Sequence, residues 1–154
     1  MDGLPVIQNI TASTRLTNAT PPMGARSREP AAHEWAETVA AADGYVVVTP
    51  EYNNQGYPAP LKNVMDECGR KPIGFVSYGA ASGGVRAVEQ LRQVAVGLDM
   101  VPIRRQVAVA RIWAALDEDG ALREPPVAEA RAMLDDLVWW AAALRGARTP
   151  AAVA

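Results

Sequence analysis

Hydrophobic positions along the chain follow two spacings in turn. Short runs of consecutive apolar residues predict strands, and apolar positions three or four apart predict helices. "LPVIQNITA" (Leu4 to Ala12) reads as an extended segment, and "GYVVVTP" (Gly44 to Pro50) is apolar throughout, as a strand buried on both faces should be. "PIGFVSYG" (Pro72 to Gly79) and "RQVAVAR" (Arg105 to Arg111) are two further strands. Between them, Trp35, Val39 and Ala42 fall on one helical face behind Pro30, which suits a first turn. Val85, Val88, Leu91, Ala95 and Leu98 form a second stripe, with Ser82 placed to cap its start. Val127, Ala130, Leu134, Leu137, Val138, Ala141 and Leu144 keep the helical period through the last segment. Strands alternating with helices imply an α/β fold: an open parallel sheet with right-handed crossovers and helices on both faces. In such sheets a ligand binds outside the carboxyl ends of the strands, where the strand order reverses.

Composition narrows the class without changing the fold. The chain has 154 residues, enough for one domain, assigned to residues 1–150 with 151–154 as a disordered tail, and its alanine-rich end "AAALRGARTPAAVA" is expected to fray beyond Arg145. Fifteen basic and seventeen acidic residues are interspersed, for a net charge of −2, which gives no field for nucleic acid or an anionic membrane. No apolar run approaches the roughly 20 residues of a membrane span, and the first residues lack a signal-peptide pattern. The single cysteine, Cys68, allows no internal disulfide and fits a reducing, cytoplasmic setting.

Three loops at strand carboxyl ends carry the candidate chemistry. "ASTR" (Ala12 to Arg15) offers the hydroxyls of Ser13 and Thr14 beside the Arg15 guanidinium, groups that suit a phosphate and equally suit an ordinary polar turn. "SYGAASGG" runs from Ser77 through Gly79 and Ser82 to Gly83 and Gly84. Its small side chains would let backbone amides approach a flat ligand, or make a plain glycine-rich turn. "PEYN" (Pro50, Glu51, Tyr52, Asn53) is harder to explain blandly, because a glutamate and a tyrosine at the end of a buried strand need partners.

Taken together, "TPEYN" with "YPAPLKNVMDE", "KPIGFVSYGAASGGVRAVEQLRQV" and "MVPIRRQVAV" resemble the NADPH-dependent FMN reductase family of flavodoxin-like proteins, over roughly residues 16–116. The resemblance implies a flavodoxin-like sheet, bound FMN, and NADPH or NADH as hydride donor. A small second acceptor, such as a quinone, azo compound, metal ion or free flavin, would receive the electrons. It places Pro50, Glu51, Tyr52 and Asn53 around the isoalloxazine and ribityl portions, largely through backbone groups. The loop from Gly79 to Gly84, with Ser77 and Ser82, would lie on the ring's other side. Ser13, Thr14 and Arg15 would hold the phosphate. Leu61, Lys62 and Asn63 start a helix that in the family packs on a partner, so a homodimer or tetramer is expected, with Leu61, Val64 and Met65 as its apolar face.

The sequence departs from the family after its first strand. Ala12 stands where the family has glycine, and the chain passes directly to "LTNATPPMGARSREP", so a helix and a strand are absent. That absence would remove the helix N-terminus from the flavin phosphate and leave one sheet edge uncovered. It favours a second reading, a shortened dimerising family member that binds flavin weakly or not at all. No protein acid or base is expected, since hydride transfer to a flavin needs none. His33 reads as a solvent-exposed helical residue, Cys68 as a packed thiol, and Trp139 and Trp140 as packing residues. Arg104 and Arg105 read as a solvated strand-edge pair.

Overall fold

The structure, a computed structural model, describes residues 4–11, 30–66 and 68–148. Ser13, Thr14 and Arg15 lie outside these residues, as does Glu67. The element order is β1 (Ile7–Thr11), α1 (Pro30–Ala41), β2 (Gly44–Pro50), α2 (Ala59–Met65), β3 (Pro72–Tyr78), α3 (Val85–Gly97), β4 (Val101–Val109), α4 (Ile112–Ala115) and α5 (Val127–Arg148). All strand pairs are parallel, and β2 runs beside β3 in register from Tyr45 opposite Ile73 to Pro50 opposite Tyr78.

Strand order in the sheet is β1-β2-β3-β4, the order of the sequence. The expected reversal point is therefore missing among the described residues. Because each right-handed crossover from one strand to the next lands on the same side, the helices after β1, β2 and β3 share one face. Val39, Leu61, Met65, Val88 and Leu91 pack there on Tyr45, Val47, Ile73 and Phe75. Among the described residues only α5, which follows the last strand, covers the other face, where Met133 and Leu137 meet Val46, Ile103 and Val107. Successive strand residues thus alternate between two apolar cores, and for that reason β2 reads as apolar at every position. Among the described residues no strand pairs with the far side of β1, and 12–29 is a shorter connection than the roughly 30 residues of a βαβ unit.

Four expectations are corrected by packing. Strand β4 begins at Val101, four residues before Arg105, because Pro102 is tolerated on an edge strand. The register to β3 slips there: Ile73 faces Pro102, but Phe75 faces Gln106. The Arg92 guanidinium fills the irregularity, donating to the carbonyls of Ile103 (2.6 Å) and Arg104 (3.1 Å) and to the Gln106 side chain (3.1 Å). Helix α5 does not fray at Arg145, because Arg148 reaches Asp43 at 2.8 Å and Arg145 reaches it at 3.5 Å. Its buried face is Met133, Leu137 and Ala141, while Val127, Leu134 and Val138 point outward. Finally, Leu61 and Met65 are fully buried in this chain's own core, so they offer no face to a partner.

Buried polar groups at the amino ends of the strands tie the layers together. Lys71 donates to the carbonyls of Val39 and Ala40 at 2.8 Å each, closing the end of α1. Burial, then the nearby Arg148 charge, pulls its ammonium below the usual lysine range. The Tyr45 hydroxyl donates to the Val39 carbonyl at 2.9 Å, and burial pushes its ionisation above that of a free tyrosine.

Candidate functional site

The loops after β2 and β3 meet because their strands are neighbours in register. Backbone bonds fasten them: the Glu51 amide donates to the Tyr78 carbonyl (2.9 Å) and the Gly79 amide to the Val109 carbonyl (3.2 Å). Beyond β2 the chain makes a tight turn in which the Tyr52 amide donates to the Gly56 carbonyl, with Asn53 and Asn54 both left-handed at φ 54°. Asparagine tolerates that conformation better than most residues. Arg86 and Gln90 hold the turn against α3 by donating to the carbonyls of Asn54 (3.1 Å) and Gln55 (3.1 Å).

Glu51 answers the puzzle of a carboxylate at the end of a buried strand. Its side chain is 2% exposed. It accepts from the Ser82 hydroxyl at 2.8 Å, from the Arg86 amide at 3.2 Å and from the Arg86 guanidinium at 3.3 Å. An acidic side chain from the β2 loop therefore satisfies the first turn of α3 and its positive dipole end. Ser82 consequently does not cap α3. Gly84 holds the N-cap position in a left-handed conformation (φ 86°), with no side-chain cap of its own.

The glycines of this loop serve close packing. A Cβ on Gly84 would sit 2.7 Å from the Ser77 Cβ, and one on Gly83 would sit 3.0 Å from the Ala110 amide nitrogen. Ser77 is fully buried beneath them, its hydroxyl donating to the Gly83 carbonyl at 2.7 Å. Its hydroxyl shapes the loop from below. In contrast, the amides of Ala80, Ala81 and Ser82 make no hydrogen bond to other described residues.

A cleft of about 420 Å³ opens between these loops, within the roughly 300 to 1,000 Å³ of small-molecule sites. Pro50, Glu51 and Tyr52 line it from β2, Tyr78 and Gly79 from β3, and Ile112, Trp113 and Leu116 from the segment of α4. That last wall was not legible in the sequence, because a one-turn helix has no period to read. A larger depression, about 520 Å³, lies at the opposite ends of the strands between Arg70, Asp99 and Arg148. Its charges are already committed, Arg148 to Asp43 and Arg70 to Asp99 at 3.9 Å. The cleft at the carboxyl ends is therefore the candidate site.

Sequence comparison agrees with that geometry. The sequence model of the NADPH-dependent FMN reductase family matches residues 10–114, which include β2, β3, the glycine loop and Trp113. The chain belongs to that family. An NAD(P)H-dependent FMN reductase of Schizosaccharomyces pombe is 50% identical over 70 residues, which is 43% of this chain and 34% of that protein. One from Pseudomonas aeruginosa is 32% identical over 128 residues, 76% of this chain and 69% of that protein. The matches thus span from a third to about two thirds of these relatives' lengths. Among solved structures, the flavoenzyme NAD(P)H:(acceptor) oxidoreductase of Paracoccus denitrificans superposes with a TM-score of 0.58 at 20% identity, covering 75% of this chain and 70% of its own. This likeness shows the fold. In this FMN reductase family member, the loops that follow β2 and β3 and line the cleft are those that carried the resemblance.

Proposed function

We propose that this chain is an NAD(P)H-dependent FMN oxidoreductase that passes electrons to a small acceptor, with FMN held in the cleft at the carboxyl ends of β2 and β3. The observation that carries the proposal is the junction of the Pro50–Asn53 and Ser77–Gly84 loops around an aromatic-lined cleft, within a chain of the FMN reductase family. The cleft suits a flat heteroaromatic group. Its walls include Tyr52, Tyr78 and Trp113, with the glycine loop beginning at Gly79 on its edge.

Bound FMN would supply two-electron redox chemistry, so that NAD(P)H, a quinone and one proton from solvent would give NAD(P)+ and the hydroquinone. The chain's own part is positional. Glu51 ties the two loops together through Ser82 and Arg86, Ser77 fixes the glycine turn, and Pro50, Tyr52 and Asn53 offer the rim beside the ring. Ser13, Thr14 and Arg15 follow β1, adjacent to β2, and belong to the phosphate in this reading.

A cytoplasmic setting fits Cys68, the chain's single cysteine, which is a buried thiol. Among the described residues no helix is long and apolar enough to cross a membrane. A homodimer or tetramer would use the outward row of α5, Val127, Leu134, Val138 and Trp139, in place of α2.

The test is NAD(P)H consumption with a quinone acceptor, comparing protein loaded with FMN and with FAD. The expected result is turnover that depends on FMN. Equal support by FAD, or none by either, would overturn the proposal. Arg15→Ala should weaken FMN binding about tenfold or more, the loss of one charge-assisted contact. Unchanged affinity would place the phosphate elsewhere.

A further inference from the structure

Trp113 is the one large aromatic of the cleft wall that stands mostly in solvent: 77% of it is exposed, although it lines the cleft beside Ile112 and Leu116. Its position is fixed by backbone bonds and not by side-chain packing. The Arg111 amide donates to the Ala80 carbonyl at 2.6 Å, and the Ile112 amide donates to the Gly79 carbonyl at 3.1 Å. Arg111 itself is left-handed, at φ 49°, which turns the chain sharply into α4 just before the tryptophan. Behind α4, the Arg123 amide donates to the Ala115 carbonyl at 2.9 Å and its side chain to the Leu116 carbonyl at 3.1 Å. A rigid turn anchored on the glycine loop therefore presents a bare indole at the mouth of the cleft.

The charge of the walls says what such an indole would meet. Among the lining residues only Glu51 is ionisable to a carboxylate, and it is buried and bonded to Ser82 and Arg86; no lysine or arginine lines the cleft. Within these described walls an anionic acceptor would find no cation, and a cationic one no free carboxylate. What remains is an aromatic, apolar surface, which favours a neutral ring through stacking and burial.

We infer that Trp113 is the specificity-determining residue of the cleft, stacking a neutral, planar, fused-ring acceptor of the quinone class over the site. This inference rests on the oxidoreductase reading above and adds to it which acceptors are preferred and by what group.

The experiment uses FMN-loaded protein with Trp113→Ala and Trp113→Phe. Three quantities are measured for each: FMN affinity by flavin fluorescence, affinity for the redox-inert planar probe 2-naphthol by calorimetry, and kinetics with a naphthoquinone and with ferricyanide. An octahedral complex ion cannot stack, so the two acceptors separate stacking from electron supply. Loss of a stacked aromatic pair with its buried area corresponds to about tenfold in affinity. The expected result for Trp113→Ala is about tenfold weaker 2-naphthol binding and a KM for the naphthoquinone raised by a similar factor. The ratio of naphthoquinone to ferricyanide efficiency should fall about tenfold, with Trp113→Phe recovering most of it. Wild-type affinity for 2-naphthol in Trp113→Ala, or an equal loss with both acceptors, would overturn the inference while leaving the FMN reading intact. So would a fall in mass by light scattering without any change in probe affinity, which would assign the indole to a subunit contact. Failure of the wild-type protein to bind FMN would overturn the functional reading and this inference with it.

Discussion

At the scale of single residues, Glu51 shows how a loop that resembles a ligand site also holds itself together. Its carboxylate accepts from the Ser82 hydroxyl in the glycine loop and from the amide and guanidinium of Arg86 in α3, so Glu51→Ala would leave the Ser82 hydroxyl and the Arg86 amide without their partner. Charge-assisted bonds of this kind are worth about 1.5 to 3 kcal/mol each. Since Arg86 is half exposed, the expected loss is about 2 to 3 kcal/mol in urea unfolding; a value within a few tenths of wild type would contradict the role. Tyr45 gives a prediction with pH. Its ionisation is raised by burial, so its contribution is fully present below the free tyrosine value of about 10 and is lost as pH rises beyond it. Tyr45→Phe should cost about 1 kcal/mol near neutrality through the lost bond to Val39, and that deficit should shrink above about pH 10. A deficit independent of pH in urea unfolding would refute the assignment.

Elements were legible where periodicity was strong and neighbours did not compete. β2 matched its expected bounds, Gly44 to Pro50, because consecutive β-branched residues between two cores leave no other reading. The expectation that Leu61 and Met65 face a partner failed because apolar spacing marks a buried face without saying whose core buries it. Helix α5 misled for a related reason. Its apolar residues nearly encircle the helix, and only contact with Ile103 and Val107 selects Met133 and Leu137 over Leu134 and Val138. The β4 slip was invisible, since it is accompanied by Arg92 reaching from α3 to the Ile103 and Arg104 carbonyls, a long-range contact with no local sequence signal. Burial also lowers the Arg92 pKa, as expected for a guanidinium drawn in beside the Phe75 ring. Arg92→Met, which keeps the apolar stem and removes the donors, should cost about 2 to 3 kcal/mol. Stability equal to wild type would mean that water replaces the guanidinium without penalty.

Across the whole molecule, the architecture puts every loop that follows β2, β3 and β4 at one end of the sheet and the buried Asp43, Tyr45 and Lys71 group at the other. The sequence pointed to the first end through "PEYN" and "SYGAASGG", but not to α4 or Trp113, which complete the cleft. Nor did it foresee that the glycines are required internally, by Ser77 and β4, before any ligand arrives. That coupling makes the loop a sensitive probe of the site. Gly84→Ala adds a Cβ to a left-handed residue 2.7 Å from Ser77, so the loop must shift. The most direct measurement is a flavin fluorescence titration of FMN with wild-type protein and Gly84→Ala. The account predicts saturable quenching with one FMN per wild-type chain, and binding weakened at least tenfold in Gly84→Ala. Unquenched FMN in the presence of excess folded wild-type protein, or equal affinity in the two proteins, would contradict it.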